Sequence, residues 1–171
     1  MQKGLLTIIY AGVLCGVLDI TAACIDVYVS SGVTPQRVLQ SVAGGLLGRS
    51  SYQGGIATAT MGLALQFTMA LIVATIFYAL TRRFPLPRKI SAVVTVGVIY
   101  GVAVFVVNNF GTAPLLSWVR SLYLHSPVSF KPPMGWSQLV IHMFCVGLPI
   151  ALVMHHYSEG QQIPSSGLTR S

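Results

Sequence analysis

Long apolar runs alternate with short polar connections along this chain, and those runs organise everything else in it. Four of them, 5–29, 56–81, 90–110 and 136–157, reach the length of about 20 mostly apolar residues that a helix needs to cross a bilayer. Each is longer than a membrane β-strand, and none shows the apolar–polar alternation of barrel strands. The predicted fold is all-α and polytopic: four transmembrane helices forming a single domain over 1–157, then a flexible cytoplasmic tail over 158–171.

The connections add one element. In Thr34-Pro35-Gln36-Arg37, Thr34 has the character of an N-cap and Pro35 suits the first helical turn. The stretch from there to Gly48 is apolar enough for a helix but too short to span. It is expected as a short external helix, interfacial or re-entrant. The connection 111–135 is rich in Pro and Ser and is expected to be an ordered external loop with a short helix around 115–124.

Composition makes lipid the solvent. Apolar residues are 54% of the chain and charged residues 8%, against about 25% charged in a water-soluble domain. The net charge of +7 does not make a nucleic-acid footprint, which needs Lys and Arg on one face. The ten basic residues are dispersed, and the one tight group, Arg82, Arg83, Arg88 and Lys89, reads as a cytoplasmic loop meeting anionic headgroups. Cys15, Cys24 and Cys145 lie inside apolar runs, an odd set that reads as small core residues rather than a disulfide framework. Lys3 before an apolar stretch resembles a secretory leader, but Asp19 interrupts that stretch and three further spans come after it.

Basic residues in short loops set orientation. An even number of spans puts the N-terminus, the 82–89 loop and the tail on one side with Lys3, Arg82, Arg83, Arg88, Lys89 and Arg170. Arg37, Arg49, Arg120 and Lys131 fall on the other. Both termini are therefore expected in the cytoplasm, with a bacterial inner membrane as the location.

Small residues at helical spacing mark packing seams, because helices in lipid associate through close backbone approach and hydrogen bonds. Such seams are Gly12, Gly16 and Ala23 in the first span, Gly55, Ala59 and Gly62 in the second, and Gly97-x-x-x-Gly101 in the third. The polar residues among them are more informative. Two of the three acids in the chain, Asp19 and Asp26, lie in the first span, seven residues apart and on nearly the same side. A charge at the depth of Asp19 costs about 2.5 kcal/mol or more, so this carboxyl must be protonated, paired or wet. Depth matching gathers Asp19, Asp26, Gln66, Asn108 (with Asn109 beside it) and His142 into one intramembrane polar site, with Arg37 and Arg49 on the external connection placed to reach Asp26 or roof the cluster. Such groups serve either as packing glue or as a proton or substrate site.

No cofactor is expected. Only His142 lies deep in a span, where bis-histidine haem needs two, and no metal-ligand, hydrolase or phosphate-loop signature occurs. No enzyme activity is predicted.

Several stretches resemble a group of small, uncharacterised four-helix bacterial inner-membrane proteins. They are Leu18-Asp19-Ile20-Thr21-Ala22-Ala23, Arg37-Val38-Leu39-Gln40-Ser41-Val42-Ala43, Gly44-Gly45-Leu46-Leu47-Gly48, Gly62-Leu63-Ala64-Leu65-Gln66-Phe67, Tyr78 with Arg82-Arg83, Tyr100-Gly101-Val102-Ala103-Val104, and Ile141-His142 through Pro149. The resemblance implies membrane location and span number and brings no substrate. It also implies His where this chain has Gln66, a departure that puts any shared proton role there in doubt. The functional expectation is small-solute or proton permeation through a polar site around Asp19, with a homo-oligomer as the easier route because four helices make a thin wall. The alternative is a non-enzymatic accessory, scaffold or lipid-binding subunit. The partners expected are the lipid bilayer and a second copy, and no nucleic acid.

Overall fold

The computed structural model describes residues 2–124 and 135–159, and every regular element among them is helical. In chain order these are α1 (Gln2–Ser31), α2 (Pro35–Leu47), α3 (Gly55–Arg83), α4 (Ile90–Val107), α5 (Ala113–Leu124), α6 (Trp136–Ile141) and α7 (Leu148–Glu159). A 3₁₀ segment, Gly48–Gln53, links α2 to α3. Four helices are long and apolar enough to cross a membrane: α1, α3, the helix that contains α4, and the one built from α6 and α7. The fold is thus an all-α polytopic membrane bundle.

Two of the spans are longer or less regular than the apolar runs imply. The third does not stop near 110 but continues through a π-helical turn, Asn108–Thr112, into α5. Instead of a loop with a separate helix, 113–124 extends the same rod; the part of that loop over 125–134 lies outside the described residues. The fourth span is interrupted by a second π-helical turn, His142–Gly147.

Both turns have the same cause. Pro114 comes after the first and Pro149 after the second, each two positions beyond its end. A proline has no N–H for the carbonyl four residues back, and its ring crowds that carbonyl. The carbonyls of Phe110 and Cys145 therefore lose their α-helical donors, and the ladder widens to five-residue bonds. Ala113 donates to Asn108, and Leu148 to Met143. At the chain's end, Ser158 and Glu159 still belong to α7, so the expected tail begins later than 158; residues 160–171 lie outside the described residues.

The spans pack in the order α3, α1, α6–α7, α4. Glycines set the spacing. Gly12 meets the backbone of Leu71, where a Cβ would come within 3.1 Å of its Cα, and Gly16 lies against the Phe67 ring. The π turn of the fourth span presses into the Gly97–Gly101 groove of α4: Gly101 faces the backbone of His142 and Met143, and Gly147 faces the backbone of Gly97 and Gly101. One half of the bundle is a buried apolar core that includes Ala11, Cys15, Ala74, Phe77, Val93, Val146, Ile150 and Ala151.

The other end carries α2 and α5. α2 leans on the first turns of α3, with the carbonyl of Leu39 against Gly62. Buried Gln40 donates its Nε2 to the Gly55 carbonyl at 2.9 Å and lies 3.3 Å from the Thr58 hydroxyl, which itself donates to Ser51 O. Thr34 sits at the N-cap position with extended backbone, but its side chain makes no capping bond. α5 closes the other end of α2: Arg120 donates to the carbonyls of Gly44 and Gly45 at 2.6 and 3.3 Å, and the Tyr123 hydroxyl donates to Leu46 O. Gly44 O also accepts the Gly48 N–H, so Arg120 adds a second donor there, at the C-terminal end of α2 where a cation is favoured.

The glycine seams predict a contrast. Gly147→Val, whose side chain meets backbone on α4, should lower the melting temperature in detergent, with a cost of roughly 1–3 kcal/mol or more. Gly111→Ala, whose Cβ would meet only Val107 at 3.8 Å, should leave it within error. Matching melting curves for Gly147→Val and wild type would refute this packing.

Candidate functional site

Asp19 lies a little past the middle of α1, about 4 Å from the helix midpoint toward the α2 end. Gln66 lies at a similar offset in α3, again about 4 Å from the midpoint on the same side. The antiparallel approach of these helices at Gly12–Leu71 and Gly16–Phe67 carries the two side chains to one level. Gln66 Nε2 donates to Asp19 Oδ2 at 2.5 Å. Both residues are half-buried. α1 also packs against the His142–Gly147 turn and α7, so it faces the fourth span as well as α3.

Among the described residues, Asp19 and Gln66 are the only pair of the expected cluster that the fold joins by a hydrogen bond. Asp26 is half-buried on α1 and takes no part in it. His142 is buried but points along its own helix: its Nδ1 donates to the Gln138 carbonyl at 2.8 Å, and its ring meets Phe105 edge-on at 5.6 Å. A backbone carbonyl only accepts, so the proton sits on Nδ1. Asn108 is exposed, and its neighbour Asn109 is the buried one, donating to Phe105 O at 2.9 Å. Arg37 roofs nothing; it is exposed and lies over the Tyr52 ring at 5.5 Å.

One residue outside the expected cluster ties a further pair of spans together, about two turns along α3 from Gln66. Tyr100 of α4 reaches across to α3, donating its hydroxyl to Val73 O at 2.7 Å and packing edge-on against Phe77 at 4.7 Å. Its signal in the sequence is a tyrosine within a mostly aliphatic helix. α3 and α4 meet chiefly through this side chain. Chemically the site can hold a proton on Asp19, present an amide and a carboxyl together to a small polar solute, or simply tie α1 to α3. No three His, Cys, Asp or Glu side chains converge as metal ligands among the described residues.

In comparisons with known proteins, no protein family, curated protein or solved structure matches this chain.

A double-mutant cycle measures the pair. Asp19→Leu and Gln66→Leu should each destabilise the protein in detergent, because each leaves a polar group unanswered. The double variant should lose less than the sum, with a coupling of about 0.6–2 kcal/mol. Strictly additive losses would mean that the contact contributes nothing.

Proposed function

We propose that this chain is a small permeation protein of a bacterial cytoplasmic membrane, moving protons or a small polar solute past Asp19. The observation that carries the reading is the 2.5 Å bond from Gln66 to a half-buried Asp19 near the midpoints of two spanning helices. An ionisable group at that depth marks a functional site by default. The α3–α4 side of the bundle supports it too, because Tyr100 bridges that side while glycine seams close the others. The buried apolar core on the N-terminal side of Asp19 offers no polar route through one chain, so the path runs along the face where two copies meet.

Both termini face the cytoplasm in this reading. Exposed Lys3, Arg82, Arg83, Arg88 and Lys89 share the end that carries the N-terminus, and short loops obey the positive-inside rule. A second reading, an accessory or scaffold subunit, is favoured by the same bond taken as a lock between α1 and α3. Membership of the group of small four-helix inner-membrane proteins is part of the proposal and fits both.

Proteoliposomes with an internal pH dye separate the two readings. Wild-type protein should dissipate an imposed proton gradient, and Asp19→Asn should slow it to the rate of protein-free vesicles. Undiminished flux in a folded Asp19→Asn variant removes Asp19 from the path. Absence of flux from wild type favours the accessory reading.

A further inference from the structure

At the α2 end, a groove of about 570 Å³ opens between the end of α1, the first turns of α2 and the 3₁₀ segment. Val27, Val33, Val38 and the Tyr52 ring form apolar walls, and Thr34, Ser41 and Arg37 supply the polar groups. Three features give the groove a positive rim. Arg37 lies 5.5 Å from the Tyr52 ring centroid, a contact that positions its charge without neutralising it. The first turn of α2 has no side-chain cap, and Pro35 occupies its start, so the positive end of the helix dipole is unanswered there. Asp26, although adjacent to Val27 in sequence, does not line the groove.

Depth fixes what can reach it. α1 has 30 residues and is therefore about 45 Å long, well beyond the hydrocarbon thickness of about 30 Å. Its last turns, and the groove beside them, stand at headgroup level. We infer that the groove binds an anionic phospholipid, with the phosphate on Arg37 and the first turn of α2 and the upper acyl chain along Val27, Val33 and Val38. Thr34 offers its hydroxyl to the glycerol ester oxygens, while the Ser41 hydroxyl donates to Val38 O at 2.6 Å and presents only its lone pairs to the groove. The apolar walls give a bare inorganic anion nothing to bury. A second copy docked groove to groove would bring one Arg37 against another. The inference stands apart from the Asp19 reading and shares no residue with it.

The test uses the full chain in nanodiscs of equimolar phosphatidylglycerol and phosphatidylcholine, with native mass spectrometry of the released protein. Wild type should retain phosphatidylglycerol over phosphatidylcholine by about fivefold or more. Arg37→Gln should lower that preference severalfold, to the level that the exposed 82–89 loop at the other end supports alone, and Ser41→Trp, which fills the groove, should do the same while keeping the arginine. Arg49→Gln, an exposed arginine at the same end that does not line the groove, should behave as wild type. Equal retention of the two lipids by wild type overturns the inference, as does a preference that Arg37→Gln leaves undiminished. A lipid-free dimer that Arg37→Gln dissociates also overturns it, since it assigns the groove to a second copy.

Discussion

Hydrocarbon offers no hydrogen-bond partner, so every polar group carried into the membrane must find its partner within the protein. The spans meet this demand in two ways. Most hydroxyls and amides turn back on their own helix, as Thr60, Thr68, Thr75 and Thr95 do toward carbonyls four residues away. Asn109 and His142 behave likewise. Asp19 has no such option, because an acid cannot be answered by carbonyls alone unless it donates. Its partner comes from another helix, and the Asp19–Gln66 bond holds α1 and α3 in register at mid-depth. Tyr100 does the same between α4 and α3.

Backbone approach supplies the rest of the cohesion, and the prolines direct it. Without Pro149 the fourth span would run as a regular α-helix past α4. With it, the ladder widens at His142–Gly147, and the widened backbone fits where Gly97 and Gly101 present no side chain. Proline, π turn and glycine groove are one device. It also fixes His142 against Phe105, away from Asp19. At the α2 end Arg120 and Tyr123 seal the carbonyls of α2, so the two short helices form a platform beside the groove lined by Arg37.

The bundle is legible in the sequence because its signal is additive: long apolar runs report the spans whatever the details, and Thr34-Pro35 marks the start of α2 at the right residue. Depth matching also finds the Asp19–Gln66 pair, since two antiparallel helices of similar length place equal depths together. The features that escape it depend on azimuth rather than depth. Depth matching gives a level and no facing, so it does not separate the outward Asn108 from the buried Asn109, or see that His142 bonds the Gln138 carbonyl of its own helix. Hence Asn108 in place of Asn109, and His142 drawn into a cluster it does not join. Arg120 gives no signal because its partners, the ends of α2, are close only in the folded chain. Tyr100 reads as part of an apolar helix, which is true of its ring and not of its hydroxyl.

The central claim is that one carboxyl is held inside the bilayer by one amide. The chain contains only two aspartates, Asp19 and Asp26, which makes solid-state NMR of the lipid-embedded protein decisive. With ¹³C-aspartate and ¹⁵N-glutamine labels, one aspartate carboxyl carbon should show a close dipolar contact to a glutamine side-chain nitrogen, lost on Gln66→Leu. Two aspartate carboxyls that both exchange magnetisation freely with bulk water, and touch no glutamine nitrogen, would contradict the account.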